Sequence, residues 1–332
     1  MSDLHPFFTI IMPVFNGENF ISEAINSVLN QSYSDWELII VDDGSTDNSI
    51  SIIKNINDVR IHLIQIKHTG SAYIARKHGY SEARGQYIQM LDCDDTLNEN
   101  CLLLHYNRIK ETNADCVLPD LTYVNEKKEL LNKWLPPKGD YSLILTGMEA
   151  FEFSLDWKIH GVACIKTDII NKCILDSNLM NADELFSKII FSKCNEVAFD
   201  KGEYIYVRNT NSTTVSSKNI VRRYETINYW FSLYTYSIQS NFNFTLICKI
   251  AKLYFGTLSN NIYTFKKERK TYIVDDANSI IEILKINFNN LYNIDLSYFN
   301  KKQKLMLLLS HKNYYIFRFY CRVMCFLKKL KK

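Results

Sequence analysis

The stretch QYIQMLDCDDTLNEN, residues Gln86 to Asn100, places an apolar run directly before three aspartates. The run from Tyr87 to Leu91 has the length and composition of a buried strand, and Thr96 to Asn98 after the acids indicate a loop that enters a helix. The acids therefore lie at the end of a strand. Carboxylates this close repel one another, which favours a neutralising cation such as Mg²⁺ or Mn²⁺. An acidic turn that only caps the next helix would have the same pattern.

Strand-like and helix-like segments alternate through the first hundred residues. Strand patterns are predicted at residues 8–12, 36–41 and 60–66, and helix patterns at 19–29, 48–56 and 71–83. This alternation is typical of βαβ units with a mostly parallel sheet. Ligands of such sheets bind beyond the carboxyl ends of the strands. The pair Asp42 and Asp43 and the acids at 92–95 are therefore predicted to share one crevice.

Composition narrows the class of protein. The chain has 332 residues, of which 47% are hydrophobic and 23% charged, as in a folded protein of one large or two smaller domains. A formal net charge of +3 is too small to indicate nucleic-acid binding. Nine cysteines without a CxxC pair predict buried thiols in a reducing cytosol. Neither a secretion signal nor a membrane-spanning run is visible, so we expect a cytoplasmic location.

Five segments occur in the order and spacing of one enzyme family. They are TIIMPVFNGENFISEAINSVLNQSY, WELIIVDDGSTDNS, GSAYIARKHGYSEARGQYIQMLDCDD, NADELF and YVRNTNSTT. The sequence thus resembles the bacterial family 2 glycosyltransferases of GT-A type, which act in O-antigen and capsule assembly. The resemblance implies an α/β fold with a Rossmann-like mixed sheet flanked by helices. We expect the catalytic domain at residues 1–218 and a helical C-terminal region at 219–332.

The resemblance also implies a site for a UDP-sugar donor with Mn²⁺ or Mg²⁺. Asp94 and Asp95 would bind the metal between the two phosphates of the donor, and Asp92 completes a DxD pattern. Asp43 would accept a hydrogen bond from uracil, and Arg76 would donate to the diphosphate. The other candidate donor contacts are Pro13, Phe15, Glu18 and Arg208. For Phe15, packing in the core explains the residue equally well.

Asp183 is the predicted catalytic base. In the family, a carboxylate three residues before a phenylalanine takes the proton of the acceptor hydroxyl, and Asp183 holds that place before Phe186. The acid that usually precedes it is replaced by Ala182, and Glu184 is the substitute candidate. Acids in the first turn of a helix are also favoured by the helix dipole alone. A single base implies direct displacement, so a UDP-α-sugar would give a β-linkage.

The last twenty residues, Asn313 to Lys332, interleave aromatic and aliphatic side chains with arginines and lysines. A basic amphipathic helix of this kind suits the surface of an anionic membrane, although packing on its own domain explains the pattern equally well. Membrane contact fits the acceptor that the resemblance implies, a polyprenyl-diphosphate-linked oligosaccharide at the inner face of the plasma membrane.

The predicted function is transfer of a hexose, with glucose or galactose favoured, to a sugar hydroxyl of that acceptor. Two alternatives stay open. The protein could be an inactive GT-A-fold scaffold at the membrane, which the missing acid at Ala182 favours. It could also be a nucleotidyltransferase, but the first strand-to-helix turn, MPVFNGEN, lacks the glycine-rich basic phosphate loop of that class.

Overall fold

The computed structural model describes residues 5–173, 182–208, 220–268, 272, 274–310 and 312–329. The chain separates into two compact units. The first comprises residues 1–178 and 186–210, and the second comprises residues 179–185 and 211–332. The predicted domain boundary at residues 218 and 219 lies outside the described residues.

A mixed sheet forms the centre of the first unit. Its ten strands among the described residues are β1 (Phe8–Val14), β2 (Trp36–Asp42), β3 (Ile61–Gln65), β4 (Tyr87–Met90), β5 (Thr96–Leu97), β6 (Cys116–Asn125), β7 (Leu130–Trp134), β8 (Ile144–Thr146), β9 (Cys164–Lys166) and β10 (Glu196–Arg208). The order is β3-β2-β1-β4-β9-β6-β10-β5, with β7 beside β6 and β8 beside β10. The first four strands are parallel, as the alternating pattern predicts. Antiparallel pairing of β5, β7, β8 and β9 makes the sheet mixed.

Helices cover this sheet. They are α1 (Ile21–Leu29), α2 (Ser49–Lys54), α3 (Ala72–Glu82), α4 (Cys101–Thr112), α5 (Gly147–Leu155), α6 (Thr167–Cys173) and α7 (Ala182–Lys193). Helix α1 buries four residues at helical spacing, Ile21, Ala24, Ile25 and Val28. Helix α3 is capped by Ser71, whose hydroxyl accepts from the Ile74 N–H at 3.4 Å. A Cβ at Gly79 would lie 2.6 Å from Ile11 Cγ2, so only glycine lets α3 approach β1 this closely.

One predicted element was wrong. Thr96 and Leu97, predicted to lie in a loop that enters a helix, form strand β5 and pair antiparallel with Ile205 and Tyr204 of β10. Leu97 is buried in the core, which fixes this register. A strand of two residues has no periodicity of its own, so only its partner more than a hundred residues later defines it.

The second unit is helical, as expected. Its long helices are α8 (Ile220–Gln239), α9 (Phe244–Glu268), α10 (Val274–Leu291), α11 (Lys301–Ser310) and α12 (Tyr314–Lys329). Aromatic rings form much of its core, with Phe288 and Phe317 at a centroid distance of 4.9 Å and Phe255 and Phe317 at 5.7 Å. Throughout the part of the chain that the structure describes, no helix is long and apolar enough to cross a membrane.

Candidate active site

The carboxyl ends of β1, β2 and β4 meet at one edge of the sheet. Val14, the last residue of β1, is level with Asp42, the last residue of β2. The Asp43 N–H donates to the Val14 carbonyl at 2.8 Å, and the Leu91 N–H donates to the Ile11 carbonyl at 3.0 Å. Asp42 and Asp43 therefore share this edge with the acidic loop, which we define as residues Asp92 to Asp95. This agrees with the prediction from the strand ends.

Strand β10 holds the acidic loop in place. The Asp95 carboxylate is buried and accepts from the Val207 N–H at 2.9 Å and from the Tyr204 hydroxyl at 2.7 Å. The same Tyr204 oxygen accepts from the Asp92 N–H at 3.1 Å. On the other side, buried Arg76 of α3 donates from Nη2 to Asp92 Oδ1. Protein side chains and backbone thus hold the loop at both ends.

Negative charge is concentrated in this loop. Burial, and then the charges of Asp92 and Asp94, raise the pKa of Asp95 well above its ordinary value of 3.8. Asp94 is partly exposed, so its carboxylate is accessible from solvent. Over the described ranges, no group of three or more His, Cys, Asp and Glu side chains is arranged to hold a metal ion. A cation at Asp94 would therefore take further ligands from phosphates and water, as Mg²⁺ commonly does.

Asp43 fixes the turn that leads into α3. Its Oδ1 accepts from the Thr69 N–H at 2.8 Å and the Thr69 hydroxyl at 2.9 Å, and its Oδ2 accepts from the Gly70 N–H at 3.0 Å. The imidazole Nδ1 of His68 lies 2.8 Å from the Asp43 carbonyl oxygen. Gly44 permits this approach, because its φ is +74° and a Cβ there would lie 2.9 Å from the backbone nitrogen of His68.

Phe15 presents an aromatic surface next to Asp43. Its side chain is 45% exposed, so it is not a core residue, and its ring stacks on His68 at a centroid distance of 4.1 Å and an angle of 22°. Pro13, by contrast, is buried within β1. The Glu18 carboxylate accepts from the Asn48 N–H at 3.0 Å and from Asn48 Nδ2 at 2.8 Å. Glu18 therefore holds the loop after β2 against the loop after β1.

The predicted catalytic carboxylates lie at the start of α7. Asp183 is exposed in the first turn, and Glu184 is half-buried. The pKa of Tyr229 is raised mainly by burial and, to a smaller extent, by the charge of Glu184. Both acids belong to the second unit, and their catalytic roles stay predictions. Arg208 is the exposed last residue of β10, and the remainder of the YVRNTNSTT motif lies outside the described residues.

Sequence reasoning missed two residues that organise this edge. His68 could have been found, because it follows the predicted strand at 60–66 and so lies at the same carboxyl edge as the acids. Nothing in the sequence singles out Tyr204, because aromatic residues are common in strand segments such as EYIYVR. Its role depends on contacts with residues 109 and 112 positions earlier in the chain.

Comparison with known proteins agrees with this architecture. Residues 9–160 match the family model described as Glycosyl transferase family 2. Glycosyltransferase GlyG of Streptococcus pneumoniae serotype 4 is 26% identical over 64% of this chain and 73% of its own length. The Escherichia coli UDP-Glc:alpha-D-GlcNAc-diphosphoundecaprenol beta-1,3-glucosyltransferase WfgD is 30% identical over 52% of this chain and 61% of its own length.

Among solved structures, Staphylococcus aureus TarS 1-349 in complex with UDP-GlcNAc superposes with a TM-score of 0.70. The match has 16% sequence identity and covers 94% of this chain and 89% of TarS 1-349. The fold is therefore of the GT-A type. Residues 9–160 are therefore a domain of glycosyltransferase family 2, and the chain is similar to the bacterial glycosyltransferases GlyG and WfgD. It spans less than two thirds of the length of WfgD.

Proposed function

We propose that this protein transfers a hexose, glucose or galactose, from a UDP-sugar to a sugar hydroxyl of a polyprenyl-diphosphate-linked oligosaccharide of O-antigen or capsule type. The observation that carries the proposal is the acidic loop, held rigidly at the same sheet edge as the exposed Phe15 ring. The similarity to WfgD supports the donor and acceptor classes, because the name of that enzyme contains both.

The nucleoside would bind at the carboxyl ends of β1 and β2. Uracil would pack on the aromatic surface of Phe15 and His68, and Asp43 would accept its hydrogen bond through a lone pair that Thr69 and Gly70 leave open. Arg76, which donates to Asp92, would also donate to the diphosphate. The Asp92 carboxylate orients that guanidinium.

Asp94 fits the role of metal ligand, because its carboxylate is partly exposed in a loop of concentrated negative charge. Asp95, the second predicted ligand, would use lone pairs not taken by Val207 and Tyr204. When bound, Mn²⁺ or Mg²⁺ neutralises charge on the departing diphosphate. Asp183 would accept the proton of the acceptor hydroxyl, with Glu184 as its substitute, and the displacement would invert the anomeric centre and give a β-linkage.

The first test is release of UDP from UDP-glucose and UDP-galactose by the purified protein, with Mn²⁺ and a synthetic diphosphate-lipid acceptor. Asp94→Asn should lower acceptor-dependent release about a hundredfold or more, because the loop loses its accessible carboxylate. Glu111→Gln, a change at an exposed residue of α4, should leave release unchanged. Equal release by Asp94→Asn and the unchanged protein would contradict the proposed metal site.

Asp183→Asn tests the proposed base separately. We expect release to fall by about 10²- to 10⁴-fold, the usual contribution of a general base, while UDP binding measured by calorimetry stays unchanged. Loss of release in Glu184→Gln but not in Asp183→Asn would assign the base to Glu184. Binding of UDP by the unchanged protein with no release from either donor would favour the inactive scaffold.

A further inference from the structure

The small net charge of the chain conceals two opposite parts. Residues 296–332 contain ten lysines and arginines and no aspartate or glutamate. The whole chain has 39 basic and 36 acidic residues, so residues 1–295 retain 29 basic and all 36 acidic ones. The formal charge is therefore +10 over the last 37 residues and −7 over the rest. Helices α11 and α12 lie within the basic part.

One side of these two helices packs against the rest of the second unit. Met306, Leu307 and Ser310 of α11 are buried, and the Tyr292 hydroxyl donates to the Leu307 carbonyl at 3.0 Å. In α12, Phe317 is fully buried, with its ring 4.9 Å from the ring of Phe288. Packing on its own domain, one of the two explanations of the tail, therefore accounts for this side of α12.

The opposite side is apolar and exposed. We call it the outer face, and it consists of Leu305 (55% exposed), Leu308 (58%), Leu309 (42%), Tyr315 (67%), Ile316 (39%) and Phe319 (57%). The three leucines are spaced i, i+3 and i+4, so they project from the same side of α11. Lys301 and Lys304 lie one turn before Leu305 and Leu308 on that side. Six large apolar side chains exposed on two consecutive helices, with lysines beside them, are typical of an interaction site.

We propose that the outer face docks on an anionic lipid membrane. Its leucines and aromatic rings would enter the boundary between headgroups and acyl chains, and the basic residues of the acid-free segment 296–332 would be attracted to anionic headgroups. A second copy of this chain is a poorer partner, because pairing like faces would bring two segments of charge +10 together. The inference develops the membrane contact expected from the sequence of the tail and does not depend on the transfer reaction.

Sedimentation with vesicles tests this docking on the full chain. We expect binding to vesicles that contain phosphatidylglycerol, little binding to pure phosphatidylcholine, and weakening as salt screens the charges. Changing Lys301, Lys302 and Lys304 together to Gln should reduce affinity about a hundredfold, because each basic residue near the surface contributes about fivefold. Leu305→Ser with Leu308→Ser should also release the protein. Val274→Ser with Ile286→Ser, at exposed apolar positions of α10, is the matched control.

Unchanged binding by both sets of variants would overturn the assignment of the outer face. Equal binding to both kinds of vesicle would overturn the electrostatic part of the proposal. A second copy would be the partner if the protein bound no vesicles but its mass in solution rose with concentration, and if the leucine variant lost that rise. Calorimetry with UDP on the same variants keeps the two proposals apart. Vesicle binding without UDP binding contradicts the proposed transferase alone, and UDP binding without vesicle binding contradicts the docking alone.

Discussion

At the scale of single residues, the Tyr204 hydroxyl has two partners in the acidic loop. It donates to Asp95 Oδ2 at 2.7 Å and accepts from the Asp92 N–H at 3.1 Å. The residue is 3% exposed, so water cannot replace these bonds without a rearrangement. Tyr204 therefore acts as a positioning residue for the carboxylates that the proposed function assigns to the donor and the metal.

Tyr204→Phe should destabilise the protein by about 1–3 kcal/mol, because a buried carboxylate oxygen and a backbone N–H lose their partner. It should also weaken Mn²⁺-dependent binding of UDP, which we would measure by calorimetry across a range of Mn²⁺ concentrations. Tyr206→Phe, which removes the next inward hydroxyl of β10, is the comparison. Loss of stability with unchanged binding of UDP and Mn²⁺ would make Tyr204 a purely structural residue.

At the scale of elements, a buried ion pair joins α4 to the irregular part of β10. His105 Nδ1 lies 2.6 Å from Asp200 Oδ2, and its Nε2 lies 3.1 Å from Gln89 Oε1 and 3.4 Å from Cys101 Sγ. The other Asp200 oxygen accepts from the Gly202 N–H at 2.8 Å, where β10 shifts its register against β6. Both ring nitrogens thus face acceptors, which favours the charged imidazolium.

This pair predicts a pH dependence of stability. Burial is the largest influence on the pKa of His105 and lowers it, but Asp200 and Cys101 together outweigh burial and raise the pKa well above 6.5. The stabilising contribution is therefore complete below pH 6.5 and is lost as the pH rises through the raised pKa. The urea midpoint should fall over that alkaline range, and His105→Gln should be less stable with a flatter profile. Exposed His78→Gln is the control, and an identical slope in His105→Gln would assign the dependence to another group.

At the scale of the whole molecule, strand-end reasoning predicted the parallel half of the sheet and the edge at which the acids gather. It succeeded because strands β1 to β4 follow one another in the sequence, and β1, β2 and β4 each have a clear apolar run. The mixed half depends on pairing between distant segments, such as β4 with β9 and β5 with β10. Local pattern contains no information about those partners, so only the family resemblance implied a mixed sheet.

The same limit applies to the candidate site. Asp94 and Arg76 belong to segments that resemble family motifs, so the sequence marks them. The sequence did not predict that Asp43 and Glu18 bind neighbouring loops through hydrogen bonds. Their partners, Thr69 and Asn48, are polar residues that are common in turns. Asn48 directly precedes α2, and the Asp47 carboxylate accepts from the Ser49 N–H at 3.0 Å.

The acidic loop has a further consequence for the curvature of the sheet. It connects β4 to β5, which are four strand positions apart, or about 19 Å in a flat sheet. The Asp95 N–H donates to the Asp92 carbonyl at 3.1 Å and closes a turn, which shortens the loop. With this turn, the Cα atoms of Met90 and Thr96 can lie at most about 18 Å apart. The connection is short for the gap that it spans, which favours a curl of the sheet between these strands. The length of the acidic loop thus limits how far β4 and β5 can lie apart, and a residue inserted there would relax that limit.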